Sequence, residues 1–305
     1  MTAVAEKTTA RPSIVRDVAT MTRRNLLRLS RTPQIIVFST IQPLMFVVLF
    51  NFVFGGSIDT GVSYINFLVP GVLVQTALFA GSNTAIGLAQ DLESGAIDRF
   101  RSLPMRRSAV LIGRTVADAS RSIITAIVVV LVGLALGFRP GGGVLGVLGG
   151  VLLGVAFAYS FTWLFTFMAL KVKDVEAVQA AAFLPVFPLV FAASTFAPVE
   201  NMPDWLQAFA SRQPVTLTAD AMRAIFGGTE IGSSLLWAVV WIVVIPLSAQ
   251  RLLSGPSRRP KRPDLLRQCR NDRPRSTAFL TMTLRQLFSR LAILGIAISR
   301  SSTSS

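Results

Sequence analysis

The residues able to do chemistry are few and sharply placed. The chain holds no histidine, and its single cysteine, Cys269, lies in a polar C-terminal stretch. That excludes disulfide frameworks, Cys/His zinc sites and Cys–His or Ser–His nucleophile pairs. What remains is charge. The densest run is 91–114, with arginines at 99, 101, 106, 107 and 114 and acids at Asp91, Glu93 and Asp98. Residues 67–90 before it and 122–138 after it carry no charge. Carboxylates and guanidiniums so arranged suit ion pairing with a partner protein or with lipid phosphates, not bond-making. A second pair, Asp118 and Arg121, stands three residues apart on one helical face. It is expected to pair internally or to reach the headgroups.

The elements that must position these groups are apolar. The chain has 305 residues, 52% of them hydrophobic, and a mean hydropathy of +0.59. Six blocks approach the roughly 20 apolar residues that a helix needs to cross a bilayer: 34–54, 67–90, 115–138, 144–170, 177–197 and 234–250. The predicted fold is therefore an all-α integral membrane protein with six transmembrane helices. The first block follows more than thirty mixed residues and reads as an anchor, not a cleaved signal. The central halves of the blocks carry no ionisable residue, whereas ion-coupled carriers and proton pumps need such groups at depth. Paired carboxylates at depth are missing too, which disfavours a membrane-embedded enzyme.

Positive residues set the orientation. Seven fall in 1–33, none in 55–66, six in 91–121, one in 139–143, two in 171–176, two in 198–233 and twelve after 250. The alternation predicts both termini in the cytoplasm. The chain divides into a cytoplasmic N-terminus (1–33), a six-span domain (34–250) and a basic tail (251–305). That tail holds most of the net charge of +15. It reads as a polybasic membrane contact, a disordered tail or an altered end. Aromatic interleaving for stacking on bases is sparse there, so no nucleic-acid partner is expected.

Within 1–33, Val15, Val18, Ala19, Thr22, Leu26 and Leu29 share one helical arc, opposite Arg16, Arg23, Arg24, Arg28 and Arg31. This is the pattern of a basic amphipathic helix, interfacial or solvated, ended by Pro33. In the fourth block Gly142, Gly146, Gly150 and Gly154 recur every four residues. Such a stripe admits another helix closely, either within one subunit or across a dimer. Pro185 and Pro188 predict a kink or break in the fifth block. Phenylalanines at 46, 50, 52, 54, 157, 161, 165 and 167 either line a route, face lipid or pack between helices. The outer segment 198–233, with Pro203, Trp205, Pro214, Asp220 and Arg223, predicts a short re-entrant helix pair or an ordinary folded loop.

In this order and spacing the chain resembles ABC-2-type transporter permeases, most nearly the daunorubicin/doxorubicin-resistance type of actinobacteria. The likeness covers about 15–245. It rests on Asp91, Glu93, Gly95, Arg99, Leu103-Pro104, Ser108 and Gly113-Arg114, on Phe67-Leu-Val-Pro-Gly71, and on Met202-Pro-Asp-Trp205, Pro214, Asp220 and Arg223. Two departures are visible: Gly95-Ala96 stands where the family often has Gly-Thr, and the tail differs from the family's short basic end. The resemblance implies a multi-pass permease of the bacterial inner membrane that exports a hydrophobic or amphipathic compound, a drug or a lipid. It implies pairing with a second permease subunit, as a homo- or heterodimer. No cofactor would be bound by this chain, because ATP would sit on a separate cytoplasmic ABC ATPase. In agreement, no GxxxxGK[ST] loop is present. The implied coupling surface is Glu93, Gly95, Arg99, Arg101, Leu103 and Pro104 together with the N-terminal helix. Positive-inside topology alone is the other reading of those arginines. An ion-coupled secondary transporter and a membrane-embedded enzyme are the remaining alternatives.

Overall fold

The computed structural model describes residues 33–58, 60–94, 107–172, 174–230 and 232–254, and Arg23. Its helical side chains are not described at 33, 35, 36, 38, 107–117 and 250–254. Eight α-helices and one 3-10 turn account for these residues, and no strand occurs among them: α1 Pro33–Phe54, α2 Tyr64–Glu93, α3 Arg107–Ala135, α4 Gly143–Val172, α5 Val175–Phe191, the turn Val199–Asn201, α6 Asp204–Ala210, α7 Pro214–Gly227 and α8 Ser233–Ser254. Three segments are long and apolar enough to cross a membrane: α2, α4 and 118–135 of α3. Ser39–Phe54, Val175–Phe191 and Ser233–Ala249 are shorter apolar stretches.

Each of the six apolar blocks centres on one helix, but α3 starts eight residues early, at Arg107, and α3 and α5 stop short of their expected ends. The third helix stops at Ala135 because Gly137, at φ 103°, turns the chain into the left-handed region. Phe138 N then donates to Gly133 O at 2.8 Å and Gly137 N to Leu134 O at 3.2 Å, satisfying carbonyls the helix would orphan. The fifth helix starts under Asp174, whose carboxylate accepts from Ala177 N at 3.0 Å. It runs unbroken through Pro185 and Pro188 and ends at Phe191, short of residue 197.

Helix α2 is the centre. It packs against α1, α3, α4, α5 and α7, and 83% of its most apolar window is buried. Close approach to α4 is possible because Gly81 has no side chain: a Cβ there would meet Phe165, Thr162 and Phe161 at 3.2–3.3 Å. Behind that contact Phe157, Phe161 and Phe165 follow one another along α4 in tilted contacts, with ring centroids 4.7 and 6.2 Å apart. They and Phe167 are buried, so they pack the core and do not wall a route. Phe46 and Phe50 of α1 stack on Phe196 instead, while Phe52 is 74% exposed.

Helix α8 is also continuous through its proline. Pro246 has no N–H for the carbonyl of Ile242, four residues back. Ser160 of α4 supplies the missing donor, its Oγ lying 2.7 Å from that oxygen.

Candidate functional site

The end of the bundle where α5 and α7 meet is organised by one cation. Helix α5 ends in turn-forming residues whose carbonyls have no helical partner. Side chains from α2 and α7 cap them. Tyr64 Oη donates to Phe196 O at 2.9 Å, Gln213 Nε2 donates to Ala192 O, and Arg223 NH2 donates to Ser194 O. Arg223 also donates through NH1 to Asp220 at 2.6 Å and to Ser194 Oγ at 2.9 Å, and through Nε to Phe67 O at 3.1 Å. Its guanidinium carbon lies 3.6 Å from the centroid of the Phe67 ring. The side chain is largely buried, and its charge stands at the carbonyl-rich end of α5, where a cation is favoured. Gly71 allows the approach: a Cβ there would sit 2.1 Å from Thr195 O.

Helix α7 is held in place by the glycine stripe. A Cβ on Gly146 would meet Ile225 O at 2.6 Å, one on Gly150 would meet the Phe226 ring at 2.3 Å, and one on Gly154 would meet Met222 Cε at 3.1 Å. The stripe thus carries helix α7 of the same chain. At its end Gly142 N donates to Phe226 O at 2.9 Å, and Gly228, at φ 66°, closes the helix. Pro214 takes the first turn of α7, where no N–H is needed. Pro203 precedes α6, and Trp205 on it is 75% exposed. The structure therefore joins Pro214, Asp220 and Arg223 to the glycines and leaves Pro203 and Trp205 apart.

At the opposite end, α2 finishes at Glu93, which is exposed, and Ser94 closes the helix through its N–H to Gln90 O at 2.9 Å. Gly95, Arg99, Arg101, Leu103 and Pro104 lie outside the described residues, as do Arg16, Arg24 and Arg28; Arg23 is exposed. Asp118 and Arg121 do face each other, at 3.9 Å, and the second oxygen of Asp118 accepts from Thr84 at 2.9 Å.

One group of residues escaped the sequence reading. Gln42 of α1, Gln75, Thr76 and Asn83 of α2, and Arg121 and Thr125 of α3 line a single cleft with Phe46 and Phe79. A search for ionisable residues at depth passes over glutamine and asparagine. The usable signal was Thr76 and Asn83, seven residues apart on one helical face of a block without charge.

A helical bundle with three segments long and apolar enough to cross a membrane, packed on one buried apolar core, has the make-up of a multi-pass membrane protein. Comparison with known proteins specifies which. Residues 16–226 match the family model described as ABC-2 type transporter, and the chain belongs to that family. It is 32% identical over 221 residues to the daunorubicin resistance ABC transporter permease protein DrrB1 of Streptomyces coeruleorubidus, covering 72% of this chain and 78% of that one. Over 228 residues it is 30% identical to the probable doxorubicin resistance ABC transporter permease protein DrrC of Mycobacterium tuberculosis, covering 72% and 80%. A weaker similarity, 23% over 184 residues, covers 59% of this chain and 48% of the probable multidrug ABC transporter permease YbhR of Escherichia coli. Membership of the family implies association with an ABC ATPase subunit.

Proposed function

We propose that this chain is the membrane subunit of an ATP-driven exporter of hydrophobic or amphipathic compounds, a drug or a lipid. It crosses the inner membrane six times, with both termini in the cytoplasm, and pairs with a second permease subunit. ATP is bound and hydrolysed on a separate ATPase. The observation that carries this reading is the family match over residues 16–226. Charge supports the orientation: the ends of α2 and α8 and the starts of α1 and α3 adjoin the basic segments, whereas 55–66 holds no basic residue.

Coupling runs through the 91–114 segment and the N-terminal helix. A motor beneath the bilayer has to push on something attached to the central helix. Glu93 is the last residue of α2, and the segment leads straight into α3. Arginines 99 and 101 offer forked donors to carboxylates on a partner. On the outer side, α6 and α7 form a re-entrant pair, with Trp205 and Phe209 in the interface and α7 seated on the glycine stripe.

The test is affinity purification of the tagged chain from its own membranes after mild cross-linking. A P-loop ATPase is expected in the eluate. Cross-links should run from that ATPase to residues 91–114. Export by the permease in cells lacking any such ATPase would sink the proposal.

A further inference from the structure

We infer that the cleft between α1, α2 and α3 is a binding site for an amphipathic cargo with an acidic, acceptor-rich head and a hydrogen-bond donor farther along its body. This inference rests on the transport reading above. Its first support is exposure. Gln42 and Asn83 are exposed at the mouth of the cleft on helices that cross or approach the bilayer core. Unpaired amides facing lipid are costly, so this face is built to meet something polar. A second support is an orphaned acceptor. Gln75 is 3% exposed, lines the cleft, and its Oε1 has no partner among the described residues. Buried amide oxygens are almost always satisfied, and a ligand N–H or O–H would satisfy this one.

Charge gives the head its sign. Arg121 lines the cleft, its side chain is largely buried, and its ion pair with Asp118 is 3.9 Å long, beyond hydrogen-bond reach. The nearer oxygen contact of Asp118 is to Thr84. Among the described residues no acid lines the cleft. Asp118 leaves the donors of Arg121 open, and a carboxylate, sulfonate or phosphate accepts from them.

Spacing gives the body its length. Thr84 meets Asp118 and Val69 meets Gly133, so Arg121 stands level with Gly81, six residues from Gln75 on α2, about 9 Å along the axis. The enclosed volume is about 40 Å³. That accommodates about three waters, or one acid group, and not a whole drug. The body must therefore lie in the open groove, against Phe46 and Phe79. Both rings belong to a longer aromatic series: Phe46 stacks on Phe196, and Phe79 meets Phe183 and Phe187.

An anionic lipid headgroup offers the same acid chemistry as a cargo, but an acyl chain brings no donor to Gln75. The probe is 11-(dansylamino)undecanoic acid, which carries a carboxylate at one end and a sulfonamide N–H at the other. Binding is read by tryptophan-to-dansyl energy transfer to the full chain in phosphatidylcholine nanodiscs, against protein-free discs. The acid should bind at least about tenfold more tightly than its methyl ester, a comparison that needs no mutation. Arg121→Gln should weaken the acid about tenfold and Arg121→Lys by no more than about threefold, and Gln75→Leu should cost about three- to tenfold. Equal affinity for acid and ester, or no effect of Arg121→Gln, overturns the site. Loss on Arg121→Gln without loss on Gln75→Leu overturns the second contact. Discs containing one-third phosphatidylglycerol separate the two sources. Cargo binding should weaken by at most about twofold, and displacement of tenfold or more would assign the cleft to lipid and overturn the cargo reading. No ATPase is present in this assay, so its failure leaves the ATP-coupled reading standing.

Discussion

Replacing Gly146 or Gly150 with alanine should lift α7 from α4. At Gly146 the added Cβ lies 2.6 Å from the Ile225 carbonyl oxygen, where ordinary contact begins at 3.4 Å, so the backbones must part by about 0.8 Å. At Gly150 the Cβ lies 2.3 Å from the edge of Phe226, a 2% exposed ring that Phe138 holds edge-on at 5.6 Å. Relief there needs about 1.1 Å. Overpacking of this kind costs about 1–3 kcal/mol. The helical gain from glycine to alanine does not offset it, since membrane helices stay helical before they associate. Movement of that size on a rigid helix is enough to take the 3.1 Å bond from Arg223 Nε to Phe67 O out of range. At Gly154 the neighbour is the end of a flexible methionine, and Gly154→Ala should cost under about 0.5 kcal/mol. The assay is equilibrium unfolding of the purified chain in mixed detergent micelles. A second comparison isolates the cause: Phe226→Leu should rescue Gly150→Ala in part but leave Gly146→Ala untouched, because the latter clash is with backbone. Wild-type stability in both Gly146→Ala and Gly150→Ala would refute the seating of α7.

Three further outcomes follow from the same geometry. Arg223→Lys keeps the charge but loses the forked donors, and should cost at least about 1.5 kcal/mol in that unfolding assay, with Arg223→Gln costing more. Ser160→Ala should cost about 1 kcal/mol by orphaning Ile242 O, and much less in a Pro246→Ala background, where a backbone N–H returns; a double-mutant cycle with no coupling would contradict the capping role. Glu93→Ala or Arg99→Ala should leave membrane insertion intact while ATP hydrolysis by the partner no longer drives export; normal export by both variants would remove these residues from the coupling surface.

The helices were legible in the apolar blocks, since each block centres on one helix, although only three of them hold segments long and apolar enough to cross a membrane. The glycine spacing was legible as a close-packing stripe, but not which helix it receives. Pattern marks a face; it does not name the neighbour that covers it. Membrane helices sharpen that limit, since core and lipid faces are both apolar and amphipathic periodicity fades. Arg223 shows the same division. Its place in the outer segment and its acidic neighbour Asp220 were visible, whereas its acceptors at Phe67 and Ser194 are 156 and 29 residues away. The cleft was missed for a different reason: apart from Arg121 its polar residues are uncharged, and a search for ionisable groups at depth passes over them. Ser160 was invisible until the proline it compensates came beside it.

The most direct test is reconstitution of the purified chain in proteoliposomes, with and without its partner ATPase, followed by transport of a fluorescent amphipath. The account predicts movement that requires both ATPase and ATP and survives collapse of the proton gradient. Transport by the permease alone, driven by an ion gradient and indifferent to ATP, would contradict it.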